Sequence, residues 1–199
     1  MQYYPTNTGW IEVIAGSMFS GKTEELIRRL KRAHYAKQKV QVFKPVVDSR
    51  YDANAVISHE GFRIEGIAVD RPLHILYLVD DDTKIVGIDE AQFFDDEIVI
   101  VANHLADKGF RVIVAGLDQD YLGQPFGPMP ELLAVAEYVS KVHAICVECG
   151  NPGTRTYRMS GVGEQVELGS SDKYQARCRK CHADKDTSLL DIEQMKIKI

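Results

Sequence analysis

Three groups of residues in this chain have the types and spacing to do chemistry. The first is Gly16-Ser17-Met18-Phe19-Ser20-Gly21-Lys22-Thr23, which fits the G-x-x-x-x-G-K-[ST] pattern of a phosphate-binding loop. Glycines at both ends let the backbone turn sharply and bring its N–H groups to an anion. Lys22 has the reach for outer phosphates, and the Thr23 hydroxyl suits a place on Mg2+. The second group is Asp89-Glu90, which closes the apolar run Ile85-Val86-Gly87-Ile88. Downstream of a phosphate loop this is the Walker B pattern. Asp89 then holds Mg2+, directly or through water, and Glu90 acts on a hydroxyl or a water beside it. Taken alone, the acidic pair reads equally well as a helix cap. The third group is Cys146-x-x-Cys149 and Cys178-x-x-Cys181, with 28 residues between the two pairs. Four thiolates suit one tetrahedral Zn2+. With four protein ligands and no open position, such a metal is structural. The gap exceeds that of a compact zinc ribbon, so a long loop leaves the metal and returns to it. His182 is an alternative to Cys181 as ligand, but the paired spacing favours cysteine.

These groups need elements to position them. Trp10–Ala15, alternating and then apolar, reads as a strand before the phosphate loop. After the loop, Leu26, Ile27, Leu30, Ala33 and His34 recur at helical spacing, with Arg28, Arg29, Lys31 and Arg32 between them. The helix N-terminus adds partial positive charge where phosphates would sit. Val40–Pro45 is a second strand, followed by the polar loop Asp48-Ser49-Arg50-Tyr51-Asp52. Val56–Ser58 and Phe62–Val69 are β-rich and read as a hairpin or two edge strands. Pro72 opens a short helix to Val79. The adjacent Phe93 and Phe94 are either core or a base-stacking surface; both as core is the usual outcome, since helical neighbours point apart and one can pack inward. Ile98, Val99, Val101, Ala102 and Leu105 stripe another helix, stopped near Gly109. Phe110–Leu117 is a further buried strand, with Asp118-Gln119-Asp120-Tyr121 at its end and a Gly/Pro-marked loop behind it. Glu131–Glu137 makes one or two helical turns, and Tyr138–Ile145 leads out as a last strand. Between the cysteine pairs, Thr154–Arg158 and Gln165–Leu168 read as short strands, and Tyr174 is a candidate clamp. Strands interleaved with helices predict an α/β fold, a P-loop NTPase-like parallel sheet with helices on both faces. A small C-terminal zinc-binding domain completes it. The expected division is a core over 1–144, the zinc-binding domain over 145–185 and a tail over 186–199.

At 199 residues the chain suits one domain with a small appendage. Its net charge of −5 argues against broad nucleic-acid binding, which needs many basic contacts to phosphates. Met1–Gly9 has neither the charged nor the apolar segment of a signal peptide. No run approaches the roughly 18 apolar residues of a membrane span. The expected location is cytoplasmic, where four cysteines point to metal rather than disulfides.

The residues by themselves leave two readings: a small-molecule kinase with Glu90 as base, or an ATP-driven module acting on nucleic acid. In the second, Asp89-Glu90-Ala91-Gln92 polarises water and the basic stripe of the first helix contacts phosphates; otherwise that stripe is a solvated face. ADP release that needs a nucleoside, and not DNA, separates the two.

The strings GSMFSGKT, FKPVVDSRY, GIDEAQFF and VIVAGLDQDYLGQPFG, both cysteine pairs and Ser171-Asp172-Lys173-Tyr174 together resemble the cytosolic type II thymidine kinases, over residues 10 to 182. The resemblance implies transfer of the ATP γ-phosphate to the 5′-hydroxyl of thymidine, or of deoxyuridine, with Glu90 as general base. It puts Gly16, Ser17, Met18, Phe19, Ser20, Gly21, Lys22 and Thr23 on the phosphates. It adds Asp48, Ser49, Arg50, Asp89 and Gln92 to the donor side. A lasso loop, by position Gln165, Val166, Glu167, Leu168 and Gly169 with Tyr174, grips thymine. Met18, Phe93, Leu117, Tyr121 and Phe126 line the base pocket, with Tyr121 standing where the family often has phenylalanine. A homotetramer and feedback inhibition by dTTP are also implied.

Overall fold

A computed structural model describes residues 8–46, 55–57, 63–159 and 173–183. In chain order these form β1 (Trp10–Ala15), α1 (Lys22–Tyr35), β2 (Val40–Pro45), β3 (Ala55–Ile57), β4 (Arg63–Glu65), β5 (Ile67–Val69), α2 (His74–Leu78) and β6 (Ile85–Ile88). A 3-10 turn (Ala91–Phe93), α3 (Glu97–Asp107), β7 (Arg111–Gly116), α4 (Met129–Val135) and β8 (Tyr138–Lys141) complete the main layer. The cysteine-bearing part consists of β9 (Ala144–Ile145), β10 (Pro152–Gly153), β11 (Arg155–Arg158), β12 (Tyr174–Arg177) and α5 (Arg179–Ala183).

Six strands pair in the order β5-β2-β6-β7-β1-β8, and every pairing is parallel. Parallel neighbours require crossovers, and the helices that make them cover the sheet. One face carries α1, whose Leu26, Ile27, Leu30 and Ala33 pack with Ile14, Val42, Ile85 and Ile113. The other carries α3 and α4, whose Ile98, Val101, Ala102, Leu105, Met129 and Leu132 pack with Val13, Phe43, Val86 and Val114. Alternate residues of each strand therefore feed opposite cores, which is why these runs are apolar without a polar face. All strand C-termini lie along one edge, so the loops after β1, β6 and β7 meet there.

The expected hairpin is present as β3 and β4, with Val56 opposite Ile64, while β5 adds to the sheet edge beside β2. The run Tyr138–Ile145 divides into β8 and β9, because after Lys141 the chain turns away from β1. Among the described residues β11 pairs antiparallel with β12, a strand that the pattern of residues 174–177 did not announce. Gln165–Leu168 and the tail from residue 184 lie outside the described residues. No helix among the described residues is long and apolar enough to cross a membrane.

Candidate active site

The phosphate loop begins where β1 ends. Gly16 cannot be replaced without displacement, since a Cβ there would lie 2.3 Å from the Val142 carbonyl oxygen. Gly21 has φ +82°, in the left-handed region that favours glycine. Phe19 takes a positive φ, 64°, without being glycine, a strained conformation of the kind that concentrates at functional loops. Inside the loop the Ser20 hydroxyl donates to Ser17 O at 2.7 Å, and Lys22 Nζ donates to the same oxygen at 2.8 Å. Desolvation pulls the Lys22 ammonium pKa below its usual value, against the opposing charges of Glu90, Asp89, Asp118 and Glu24.

Asp89 follows β6, the strand beyond β7 from β1. Its Oδ2 accepts from the Thr23 hydroxyl at 3.3 Å, and its Oδ1 accepts from the Glu90 N–H at 3.0 Å. Thr23 and Asp89, separated by 66 residues in sequence, thus meet beside the phosphate loop. Glu90 sits at φ 50°, ψ 40°, a second left-handed non-glycine residue. Its carboxylate is held by the Gln92 side-chain amide, and the Gln92 carbonyl oxygen accepts from Leu117 N–H at 2.9 Å. Gln92 is 2% exposed, so it acts as a buried clip between Glu90 and the end of β7. Phe94 enters the core, and Phe93 meets Phe126 edge to face, centroids 5.8 Å apart at 88°.

Leu117 and Phe126 are buried at the start and end of the loop from 117 to 128. Tyr121 sits at its tip under the Arg158 guanidinium, 4.0 Å from the ring centroid. Tyr174 is buried on β12, opposite Arg158 on β11. Met18 is drawn toward the same strand, its N–H donating to the Thr156 hydroxyl at 3.0 Å. Thus Met18, Tyr121 and Tyr174 are joined through β11, while Phe93, Leu117 and Phe126 gather around the Gln92 end. Asp48, Ser49 and Arg50, and Gln165 to Gly169, lie outside the described residues.

The four cysteines converge as their spacing required. Their sulfurs all lie within 4.8 Å of one another, and Cys149 and Cys178 are 3.6 Å apart. A tetrahedron with Zn–S of about 2.3 Å has edges of roughly 3.8 Å, so the set fits Zn2+. All four are free thiols. Burial raises the Cys146 pKa, but backbone N–H groups of Cys178, Glu148 and Cys149 overcome it and bring the thiol down to about 6. The Cys181 thiol donates to the Cys149 and Cys178 sulfurs, which holds its proton and pushes its pKa up to about 12. Thiols that cannot all ionise together suit a cation that replaces their protons. His182 is not one of the four: its Nε2 lies 2.9 Å from the Tyr121 carbonyl oxygen.

Several contacts had no signal in the sequence. The Ser17 hydroxyl donates to Gly153 O at 2.9 Å, so a phosphate-loop residue is bonded to the cysteine module. Thr156 belongs to an ordinary short strand. Asp118, 6% exposed, is paired with Lys141 Nζ at 2.6 Å, across the end of β1. Only the pairing of β7 and β8 on either side of β1 reveals that these two meet. A buried acid just past a strand's C-terminal end, as in Leu117-Asp118, was the one available hint.

Strand, glycine loop and helix, with an acidic pair at a parallel strand end, define a P-loop nucleotide-binding enzyme of the phosphate-transferring kind. The model of the thymidine kinase family matches residues 9–182, and the chain belongs to that family of enzymes. Among solved structures, the chain is similar to the Legionella pneumophila ATPase DotB, at 16% identity and a TM-score of 0.40. That match covers 66% of this chain and 35% of the DotB chain, about a third of its length, and carries no argument about function.

Proposed function

We propose that the protein transfers the γ-phosphate of ATP to the 5′-hydroxyl of thymidine, and of deoxyuridine, with Glu90 as general base. The observation that carries this is the adjacency of the two carboxylates. Asp89 is bonded to Thr23 of the phosphate loop, and Glu90, next in the chain, is held apart from it by Gln92. One acid thus serves the donor and the next serves the acceptor. Bound at Thr23 and Asp89, Mg2+ would neutralise charge on the phosphates. Lys22 and the N–H groups of Gly16–Thr23 hold the phosphate oxygens. The Glu90 carboxylate takes the proton of the 5′-hydroxyl, that oxygen bonds to the γ-phosphorus, and the bond from phosphorus to the ADP oxygen breaks. Positioning and charge neutralisation supply most of the rate in such transfers.

On the acceptor side the reading assigns Met18, Phe93, Leu117, Tyr121 and Phe126 to the thymine ring. Tyr174 and the segment Gln165–Gly169 close over it, and Asp48, Ser49 and Arg50 join the donor side; both segments enter from the family resemblance. Four thiolates on Zn2+ tie down the ends of the closing loop, which lowers the entropy lost when it orders over a nucleoside. The same reading makes the protein a cytoplasmic homotetramer of nucleotide salvage, inhibited by dTTP, with no nucleic-acid partner. It divides the chain into a core over 1–144, a zinc-binding domain over 145–185 and a tail.

The test is Glu90→Gln. Binding of ATP and thymidine is retained while kcat falls on the order of 10² or more. Turnover close to that of the unaltered enzyme removes Glu90 as base. Incubation with ATP, Mg2+ and each nucleoside in turn identifies the acceptor by the monophosphate formed. ATP hydrolysis stimulated by DNA rather than by a nucleoside would move the protein to the nucleic-acid class.

A further inference from the structure

The loop from 117 to 128 is closed by bonds within itself. Asp120 Oδ1 accepts from the N–H groups of Leu122 and Gln124, both at 2.9 Å, and Gly123 N–H donates to Asp120 O at 3.0 Å. From outside, the cysteine module reaches its tip at three points. His182 Nε2 meets Tyr121 O at 2.9 Å, Arg155 Nη1 donates to Gly123 O at 3.0 Å, and the Arg158 guanidinium covers the Tyr121 ring. A carbonyl oxygen only accepts, so Nε2 of His182 carries the proton. His182 is 5% exposed, with its ring edge-on to Tyr157. Its backbone N–H donates to Cys178 O at 3.0 Å, so it rides on the turn that joins Cys178 to Cys181.

We propose that His182 is a positioning residue that transmits the order of the four-cysteine site to the Tyr121 loop. The turn of α5 is fixed when Cys178 and Cys181 are both bound to one metal. That places the imidazole, and the imidazole places the Tyr121 carbonyl. Metal at the knuckle therefore restrains a loop that supplies no metal ligand. The kinetic part of this inference rests on Tyr121 and Phe126 facing the nucleoside; the structural part does not.

Hydrogen–deuterium exchange of the full-length, zinc-loaded protein tests it, read at Leu122, Gly123 and Gln124, whose N–H groups are bonded to Asp120. His182→Phe keeps a ring and removes the donor; His182→Gln keeps a donor at similar reach. In His182→Phe the expected result is a full zinc content and an unchanged KM for ATP. Exchange at 122–124 speeds up by a few-fold to about tenfold, the span one hydrogen bond carries, and the thymidine KM rises by a similar factor with little change in kcat. His182→Gln restores both. Stripping zinc from the unaltered protein speeds the same amides, and stripping it from His182→Phe adds little there. Unaltered exchange in zinc-loaded His182→Phe overturns the proposal, and so does loss of zinc from that variant, which would make the residue part of the metal site. Should His182→Phe not fold, Arg155→Ala and the stripped protein read the same amides, and no acceleration in either sinks the idea. Faster exchange with an unchanged thymidine KM keeps the latch and removes Tyr121 from the nucleoside side; slow exchange in His182→Phe with Glu90→Gln inactive removes the latch and leaves the proposed function standing.

Discussion

The two sides of the site are held by different physics. The phosphate loop grows from β1, which has a parallel neighbour on each side and contributes Ile11, Val13, Ile14 and Ala15 to cores on both faces. Among its described residues the cysteine module has strands of two to four residues and few buried apolar side chains, Ala144, Tyr174 and Ala176 among them. In place of a core it has four thiols and a buried Arg177, which lies 3.5 Å from the Tyr157 ring centroid and 2.9 Å from Glu148 Oε1. A layer with hundreds of dispersed contacts tolerates the loss of one polar bond; a module with few apolar contacts depends on each metal ligand. Both the phosphate loop, through Ser17 and Met18, and the tip of the Tyr121 loop are tied to the module by single polar bonds.

The comparison breaks most sharply if metal removal leaves the module intact. A four-thiolate zinc carries on the order of 10 kcal/mol of binding free energy, so a chelator should abolish amide protection in 144–158 and 174–183. The thymidine KM should rise before the sheet melts; an unchanged KM in metal-free protein counts against an anchored lid. The converse change is Glu12→Gln in β1. Glu12 is fully buried and takes 2.6 Å bonds from both Arg29 and Arg111, and one of 2.8 Å from Trp10 Nε1. Removing its charge takes from Arg29 and Arg111 the buried carboxylate they share, although Arg29 keeps Glu25 and Ser140, and should destabilise the sheet by about 3 kcal/mol. Denaturant melts followed by the fluorescence of Trp10, the single tryptophan, measure this, and zinc content should not change.

The smallest effect is that of acid. Burial works against the Glu12 charge, but Arg111, Trp10 and Arg29 outweigh it and hold its pKa below the usual carboxylate value. Glu25 is brought down to about 2, chiefly by the Arg28 hydrogen bond and then, against some burial, by Arg29. Both groups are depressed in the folded state, so their stabilisation is complete above the ordinary value of 4.5 and is lost as pH falls below it, for Glu25 toward about 2. Thermal melts of the sheet should be level with respect to these groups above pH 5 and drop below it. In Glu25→Gln the drop should be shallower; an identical acid limb would remove Glu25 from the account.

Much of the arrangement is visible in the chain itself. The phosphate loop is readable because only one order of glycines, lysine and threonine turns N–H groups and a cation toward an anion. Asp89-Glu90 is readable because an apolar run of four ends there. The cysteine pairs announce a metal because thiol spacing is chemistry that survives any fold. The basic stripe on α1 was less legible: Arg28 is exposed and pairs with Glu25, whereas Arg29 turns inward to Glu12 and Ser140. Spacing placed both on a helix, but the partner lay on β1, and a one-dimensional pattern carries no record of it. Gln92 shows the same limit, since its clip between Glu90 and Leu117 depends on β6 and β7 being neighbours.

What the sequence by itself determined is local: where the backbone turns, which runs are buried, and which side chains carry charge, hydroxyl or sulfur. Those follow from the residue and its near neighbours. Only the tertiary structure decided that Thr23 meets Asp89, that Thr156 and Gly153 bond to the phosphate loop, and that His182 reaches Tyr121 instead of the metal. These are pairings between segments 60 to 140 residues apart. Strand order and register fix them, and those are set by how whole faces pack rather than by any one residue.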